Sequence, residues 1–294
     1  MSPSFDIDAL RTVVAGIDLG SFARAAIQLG RSQSAVSMQL KKLEQQAGTQ
    51  LFTRKGRGLV PTEAGEAFVA YARRIVALND EAALAMGAAT TRASVRVGMP
   101  QDFFDDVMPA TLATFGQRHD AVHVEVRAGE NHRIAEEVRA GRLDAAIAFY
   151  KSGSPMEGEL LFELPMIWLA HENWRERIID PQAIPLVLFN HPCLFRQAAL
   201  SSLERQGVRW RAALTTPSLP GVWASLRSGL GIAVRTDYGR PQDMVSLREE
   251  LGLPELPAIE LRLLRAPNIS PVAEPLAAIL RQETLERVGS NTAG

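Results

Sequence analysis

Between Asp6 and Gly48, runs of helical periodicity alternate with single glycines, a pattern that few folds accept. Asp6 or Asp8 is placed to cap a first helix carrying Leu10, Val13, Val14 and Ile17, which Gly20 stops. Ser21 caps a second helix over 22–29, and Gly30-Arg31 turns the chain. Ser32 caps a third helix that runs to Ala47, where Gly48 ends it. Two short helices joined by a tight glycine turn read as a helix-turn-helix.

The third helix divides by face. Val36, Leu40, Leu43 and Ala47 recur at steps of four, three and four, so they are expected to pack inward. Ser32, Gln33, Ser34, Ser37, Met38 and Lys41 are left on or near the outward face. That is where a recognition helix presents side chains to base edges in the major groove. LFTRKGRGLVPT follows as a short basic hairpin with glycines at its tip, whose Arg54, Lys55 and Arg57 can straddle phosphates. The alternative is a small helical bundle used for protein contacts, with a solvated basic loop.

Charge is unevenly shared. Residues 1–60 hold eight basic against four acidic side chains, +4 in a chain whose total is −1, leaving −5 for the rest. A basic head on an acidic body points to a polyanion-binding module joined to something else. The single cysteine, Cys193, excludes a disulfide framework within the chain and fits a reducing compartment. MSPSFDID lacks the layout of a signal peptide, and no apolar run approaches the roughly 20 residues that cross a bilayer. A cytoplasmic protein without membrane contact is expected.

From Thr62, just after Pro61, to Thr90 the pattern is one long helix. Ala64, Phe68, Tyr71, Ile75, Leu78, Ala82 and Ala85 recur at alternating steps of four and three. Two helices can share such a seam as a coiled coil, or one helix can pack it on its own domain.

Residues 93–288 alternate strands and helices. Strands are expected at 95–99, 122–128, 144–149, 166–170, 185–189, 210–215, 231–234 and 259–264. Helices are expected at 103–118, 131–140, 195–206, 222–228 and 272–288. The rhythm predicts a mostly parallel sheet covered on both faces, with ligands at the carboxyl ends of its strands. This nominates Pro100, Gln101, Asp102, Gly129, Glu130, Asn131 and Phe149 on one side of a crevice. Phe189, Phe195, Ser218, Leu219 and Pro220 face them, though any of these residues can equally be core packing. Asp102, Asp105, Asp106 and Glu130 argue against a small carboxylate, and the aromatics and prolines favour a flatter, apolar ligand.

The stretch LRTVVAGIDLGSFARAAIQLGRSQSAVSMQLKKLEQQAGTQLFTRKGRGLVPTEAG, Leu10 to Gly65, closely resembles the LysR-type transcriptional regulators. VRAGRLDAAIAF (138–149) and SLRSGLGIAV (225–234) resemble that family's effector domain. The resemblance implies an α+β multidomain fold: a winged helix-turn-helix over 1–61, a linker helix over 62–90, and a two-lobed α/β effector-binding domain over 91–294. The last is related to periplasmic binding proteins, with lobe I at 93–164 and 265–288 and lobe II at 165–264. The resemblance further implies a homodimer through 62–90, a homotetramer, double-stranded promoter DNA and a small-molecule effector as ligands, and RNA polymerase as a further partner. Gln33, Ser34, Ser37 and Met38 would then face bases while the wing meets the backbone. Many relatives carry arginine where Met38 stands; a thioether cannot donate to guanine but can touch a thymine methyl. DDVMPATLATF, HPCLFRQAAL and TTPSLPGVWASLRSGLGIAV resemble the LrhA-type branch, which implies control of motility or virulence genes.

An enzyme is the rival class. His119 and His123 have a metal-like interval, but one falls at a helix end and the other in a strand. Cys193 has His191 nearby in sequence, yet nothing raises its thiolate character. Gly229-Leu230-Gly231 is too short for a phosphate loop and suits a helix-to-strand turn. No catalytic residue, metal site or cofactor is expected.

Overall fold

A computed structural model of the chain describes residues 4–55, 58–85, 94–119, 122–129, 131–153, 157–177, 183–249, 251–267 and 269–292. The amino-terminal part opens with α1 (Ile7–Asp18), α2 (Phe22–Gln28) and α3 (Gln33–Ala47). Each start is capped by the side chain of the residue before it. Asp6 accepts from the Ala9 N–H at 3.0 Å, Ser21 from Arg24 at 3.3 Å and Ser32 from Ala35 at 3.1 Å. Gly48 ends α3 at a φ of 69°. Leu10, Val13, Ala26, Val36, Leu40 and Leu43 form one core with Leu51, Phe52, Val69 and Ala72.

Strands β1 (Phe52–Lys55) and β2 (Gly58–Pro61) pair antiparallel as the wing, from Phe52 opposite Pro61 to Lys55 opposite Gly58. Glu44 of α3 fastens the wing's root, accepting from the N–H groups of Leu51 and Phe52 at 2.9 and 3.0 Å. Helix α4 (Glu63–Ala85) follows, its first turn capped by Thr62, which accepts from the Gly65 N–H at 3.1 Å. Gly65 has to be glycine, because a Cβ there would sit 1.9 Å from the Leu51 carbonyl oxygen. Residues 86–90 of the expected helix lie outside the described residues.

Helix α4 carries two apolar stripes. Val69, Ala72 and the buried Arg73 face α1, where Arg73 pairs with Asp18 and Arg11 pairs with Asp80. The Arg73 guanidinium is held below its ordinary pKa by burial, against the pull of Asp18. On the opposite stripe Tyr71, Ile75 and Leu78 are 60%, 43% and 64% exposed. Those are members of the heptad seam, so within one chain much of the seam is uncovered.

The remaining chain contains β3 (Ser94–Met99), a 3-10 turn (Gln101–Phe103), α5 (Val107–Gly116), β4 (His123–Ala128), α6 (Asn131–Arg139) and β5 (Ala145–Lys151). Strand β6 (Glu159–His171), a 3-10 segment (Glu172–Arg177), β7 (Ile184–Phe189), α7 (Leu194–Arg205), β8 (Trp210–Thr216) and α8 (Leu219–Arg227) come next. Then β9 (Ala233–Thr236), β10 (Met244–Ser246), β11 (Ala258–Arg265) and α9 (Glu274–Thr292) complete it.

The sheet is mixed, not mostly parallel. Strand β3 runs parallel to β4 and β5, and β7 parallel to β8, as helix crossovers demand. Strand β6 is antiparallel to β9, β10 and β11, and β11 is antiparallel to β5. The reason is β6 itself. Its first half, to Pro165, pairs with β11 in the first lobe, and from Met166 it pairs with β9 and β10 in the second. The chain thus crosses between lobes as one strand and returns beside it. Only its apolar second half was expected, because Glu159, Leu160 and Glu163 interrupt the first.

Helix α5 also starts later than expected. Pro109 has no N–H and is tolerated only in a helix's first turn, which places the start at Val107. The three residues 101–103 before it form the separate 3-10 turn. A continuous core runs through both lobes, including Phe103, Phe115, Phe149, Trp168, Leu186, Phe195, Ile232 and Leu261.

Candidate functional site

The outward face of α3 is open. Ser32, Gln33, Ser34, Ser37 and Lys41 are exposed, and Met38 is 69% exposed, while Val36, Leu40 and Leu43 are buried beneath them. Ser32 is also engaged locally: its Oγ caps the helix and lies 2.9 Å from the Ser34 Oγ. Arg54 and Lys55 stand exposed on β1, and Arg57 lies outside the described residues. Short polar side chains on a helix face beside a cationic hairpin can reach base edges and phosphates together.

Between the lobes lies a cavity of about 440 Å³. Pro100, Gln101, Asp102, Gly129, Asn131, Phe149, Phe189 and Phe195, all nominated from sequence, line it. Asn131 does structural work there, its Oδ1 accepting from the Phe149 N–H at 2.9 Å. Glu130 lies outside the described residues. Ser218, Leu219 and Pro220 do not line the cavity. Ser218 caps α8 by accepting from the Gly221 N–H at 3.3 Å, Leu219 is buried, and Pro220 sits exposed in the first turn. Their neighbour Pro217 lines it in their place. A second cavity of about 320 Å³ shares Asn131, Phe149, Pro192 and Cys193 with the first, so Cys193 stands half-buried on the cleft wall.

Sequence reasoning missed Arg127, Arg133 and Arg235 on the wall. Arg127 and Arg235 lie at or next to the carboxyl ends of β4 and β9, so the strand-end rule could have found both. Arg127 is itself engaged, by Glu125 at 2.8 Å and Glu137 at 3.4 Å, and two of the nearby carboxylates are matched by arginines. Asp102 pairs with Arg235, and Asp106 pairs with Arg287 while accepting from the Tyr238 hydroxyl at 3.2 Å. Burial, then the Asp106 charge, pushes the Tyr238 phenol well above its ordinary pKa and keeps it a donor.

Three polar ties span the lobes here. The Gln101 side chain accepts from the Leu219 N–H at 2.7 Å and donates to the Pro217 carbonyl at 3.3 Å. Asp102 to Arg235 and Asp106 to Tyr238 are the others.

His119 stacks on Phe115, with centroids 4.5 Å apart, and His123 opens β4. Gly231 backs onto Pro185, where a Cβ would meet the carbonyl oxygen at 2.3 Å, so the Gly229-Leu230-Gly231 turn serves packing.

Comparison with known proteins fits both halves. Residues 7–66 match the family described as bacterial regulatory helix-turn-helix protein, lysR family, and residues 88–285 match LysR substrate binding domain. The chain is 32% identical to the HTH-type transcriptional regulator PecT of Dickeya dadantii over 265 residues, covering 90% of this chain and 83% of that one. It is 32% identical to the HTH-type transcriptional regulator DgdR of Burkholderia cepacia over 260 residues, covering 88% and 87%. The fold superposes on the crystal structure of ArgP from Mycobacterium tuberculosis with a TM-score of 0.72 at 22% identity, over 95% of this chain and 97% of that one. With an open helix-turn-helix face at one end and a lined inter-lobe cleft at the other, this chain belongs to the LysR family of transcriptional regulators, which bind promoter DNA and small effectors and are not enzymes.

Proposed function

We propose that the chain is a promoter-binding regulator that dimerises through 62–90, pairs again as a tetramer, and takes its effector between the lobes of 91–294. Residues 1–61 form the DNA-binding unit in this reading. Lobe I spans 93–164 and 265–288, and lobe II spans 165–264. The observation that carries it is the division of α3, with Gln33, Ser34, Ser37, Met38 and Lys41 outward over a sealed core. The bare stripe of Tyr71, Ile75 and Leu78 supports pairing of α4 with a second copy. Paired wings then address two half-sites of an interrupted palindrome. Effector binding changes the placement of the DNA-binding pairs, and with it polymerase access, only if the effector prefers one arrangement. Similarity to the LrhA-type branch supports motility or virulence genes as targets, in the cytoplasm where promoter DNA lies.

The test is mobility shift of the DNA upstream of its own gene at rising salt. Binding should fall steeply as phosphate contacts release counterions. Ser37→Arg should abolish the footprint with the thermal midpoint unchanged, since the position is exposed. A retained footprint would refute the assignment of α3.

A further inference from the structure

Arg235 is a confined charge on the cleft wall. It is 5% exposed, pairs with Asp102 across the lobes, and lies over the rings of Phe195 and Phe189 at 4.0 and 5.2 Å. Its Nε is buried with no hydrogen-bond partner among the described residues. A buried donor left unmatched beside a cavity is an unfinished arrangement. The ion pair is also costly to bury, and Arg235 is where a guanidinium would take a planar anion side-on.

We propose that Asp102 is a tethered stand-in for the effector's own anionic group, and that the effector is a flat, apolar carboxylate that takes Arg235 from it. This rests on the reading of the cleft as the effector site. The ligand's carboxylate completes the Arg235 guanidinium, and its planar body lies against Phe149, Phe189 and Phe195. Asp102 is released, so one of the three ties between the lobes is exchanged for a tie to the ligand. Effector occupancy and lobe closure thereby draw on the same side chain, which supplies the differential affinity that a switch requires. Removing the internal competitor frees the site, so its loss tightens binding while loss of Arg235 abolishes it.

The test uses the full chain with benzoate as probe and benzamide as its uncharged match, both at millimolar concentration, read by calorimetry and thermal shift. Benzoate should bind the natural protein and benzamide should not. Asp102→Asn should bind benzoate roughly tenfold tighter, about 1.4 kcal/mol. Because Asp102→Asn leaves a buried charge unpaired and can fail to fold, the double substitution Asp102→Asn with Arg235→Met provides a second arm. It removes both charges, should stay folded, and should lose benzoate binding. Equal binding of benzamide, benzoate binding that survives the double substitution, an Asp102→Asn protein no tighter than the natural one, or no benzoate binding at all would each overturn the proposal. Mobility shifts on the same preparations separate the two readings. Indifference to benzoate with DNA binding intact removes this proposal alone, whereas a natural protein that shifts no upstream DNA counts against the regulator reading itself.

Discussion

Met38 is exposed on the outward face of α3, and in the proposed contact with DNA its chemistry sets what it can read. A thioether offers no proton, so an exposed Met38 favours a methyl group over a guanine edge. Met38→Arg should move the preferred base at that position to guanine, by about 1–3 kcal/mol, in a selection from randomised DNA. Tyr238 gives a second prediction. Its buried phenol binds its proton more tightly in the folded chain than in the unfolded one. The stability this contributes is complete below the ordinary value of 10.0 and is lost as pH climbs from there through the raised folded value. Tyr238→Phe should therefore flatten the alkaline loss of the urea midpoint between pH 9 and about pH 11. At this scale the sequence was legible wherever one residue answers one local need. Caps at Asp6, Ser21 and Ser32 are such cases. Glu44 was silent, because its partners, the amides of Leu51 and Phe52, are fixed by how the wing returns to α3. The strand-end rule could have found Arg235, but its pairing was hidden for the same reason, because Asp102 is 133 positions away in the chain.

Among elements, α4 is the one whose two faces make opposite demands. One stripe is spent on α1 through Val69, Ala72 and the Arg73–Asp18 pair, and the other remains bare. Leu78→Glu should place a charge on the bare stripe without touching the buried one. We expect light scattering to show a dimer falling to a monomer, with the thermal midpoint of the monomeric unit little changed. Helical period alone revealed the bare stripe. The buried one was less obvious, since alanines and an arginine make it look polar. Strand β6 was half legible, because a strand that changes lobes changes its burial pattern midway. The hydrophobic rhythm that marks an element assumes one environment along its length.

For the whole molecule, the ties at residues 101–106 join the two lobes. Gln101→Ala should remove both of its contacts to the second lobe and lower stability by about 0.5–1.5 kcal/mol per lost bond. Hydrogen exchange at the Leu219 amide, which Gln101 now holds, should become faster in that variant. The alternation of strands and helices was readable and the two-lobed plan came with the family resemblance, but the mixed sheet was not legible, since alternation records crossovers within a lobe and not the passage between lobes. That passage limits how such proteins can be recombined. A ligand sensor cannot be grafted one lobe at a time, because Pro165 and Met166 are consecutive residues in two ladders at once. Any chimera cut within 159–171 would divide a strand between parents. Working exchanges of sensing specificity should therefore inherit β6 and β11 from the same parent, with junctions confined to the stretch that follows α4.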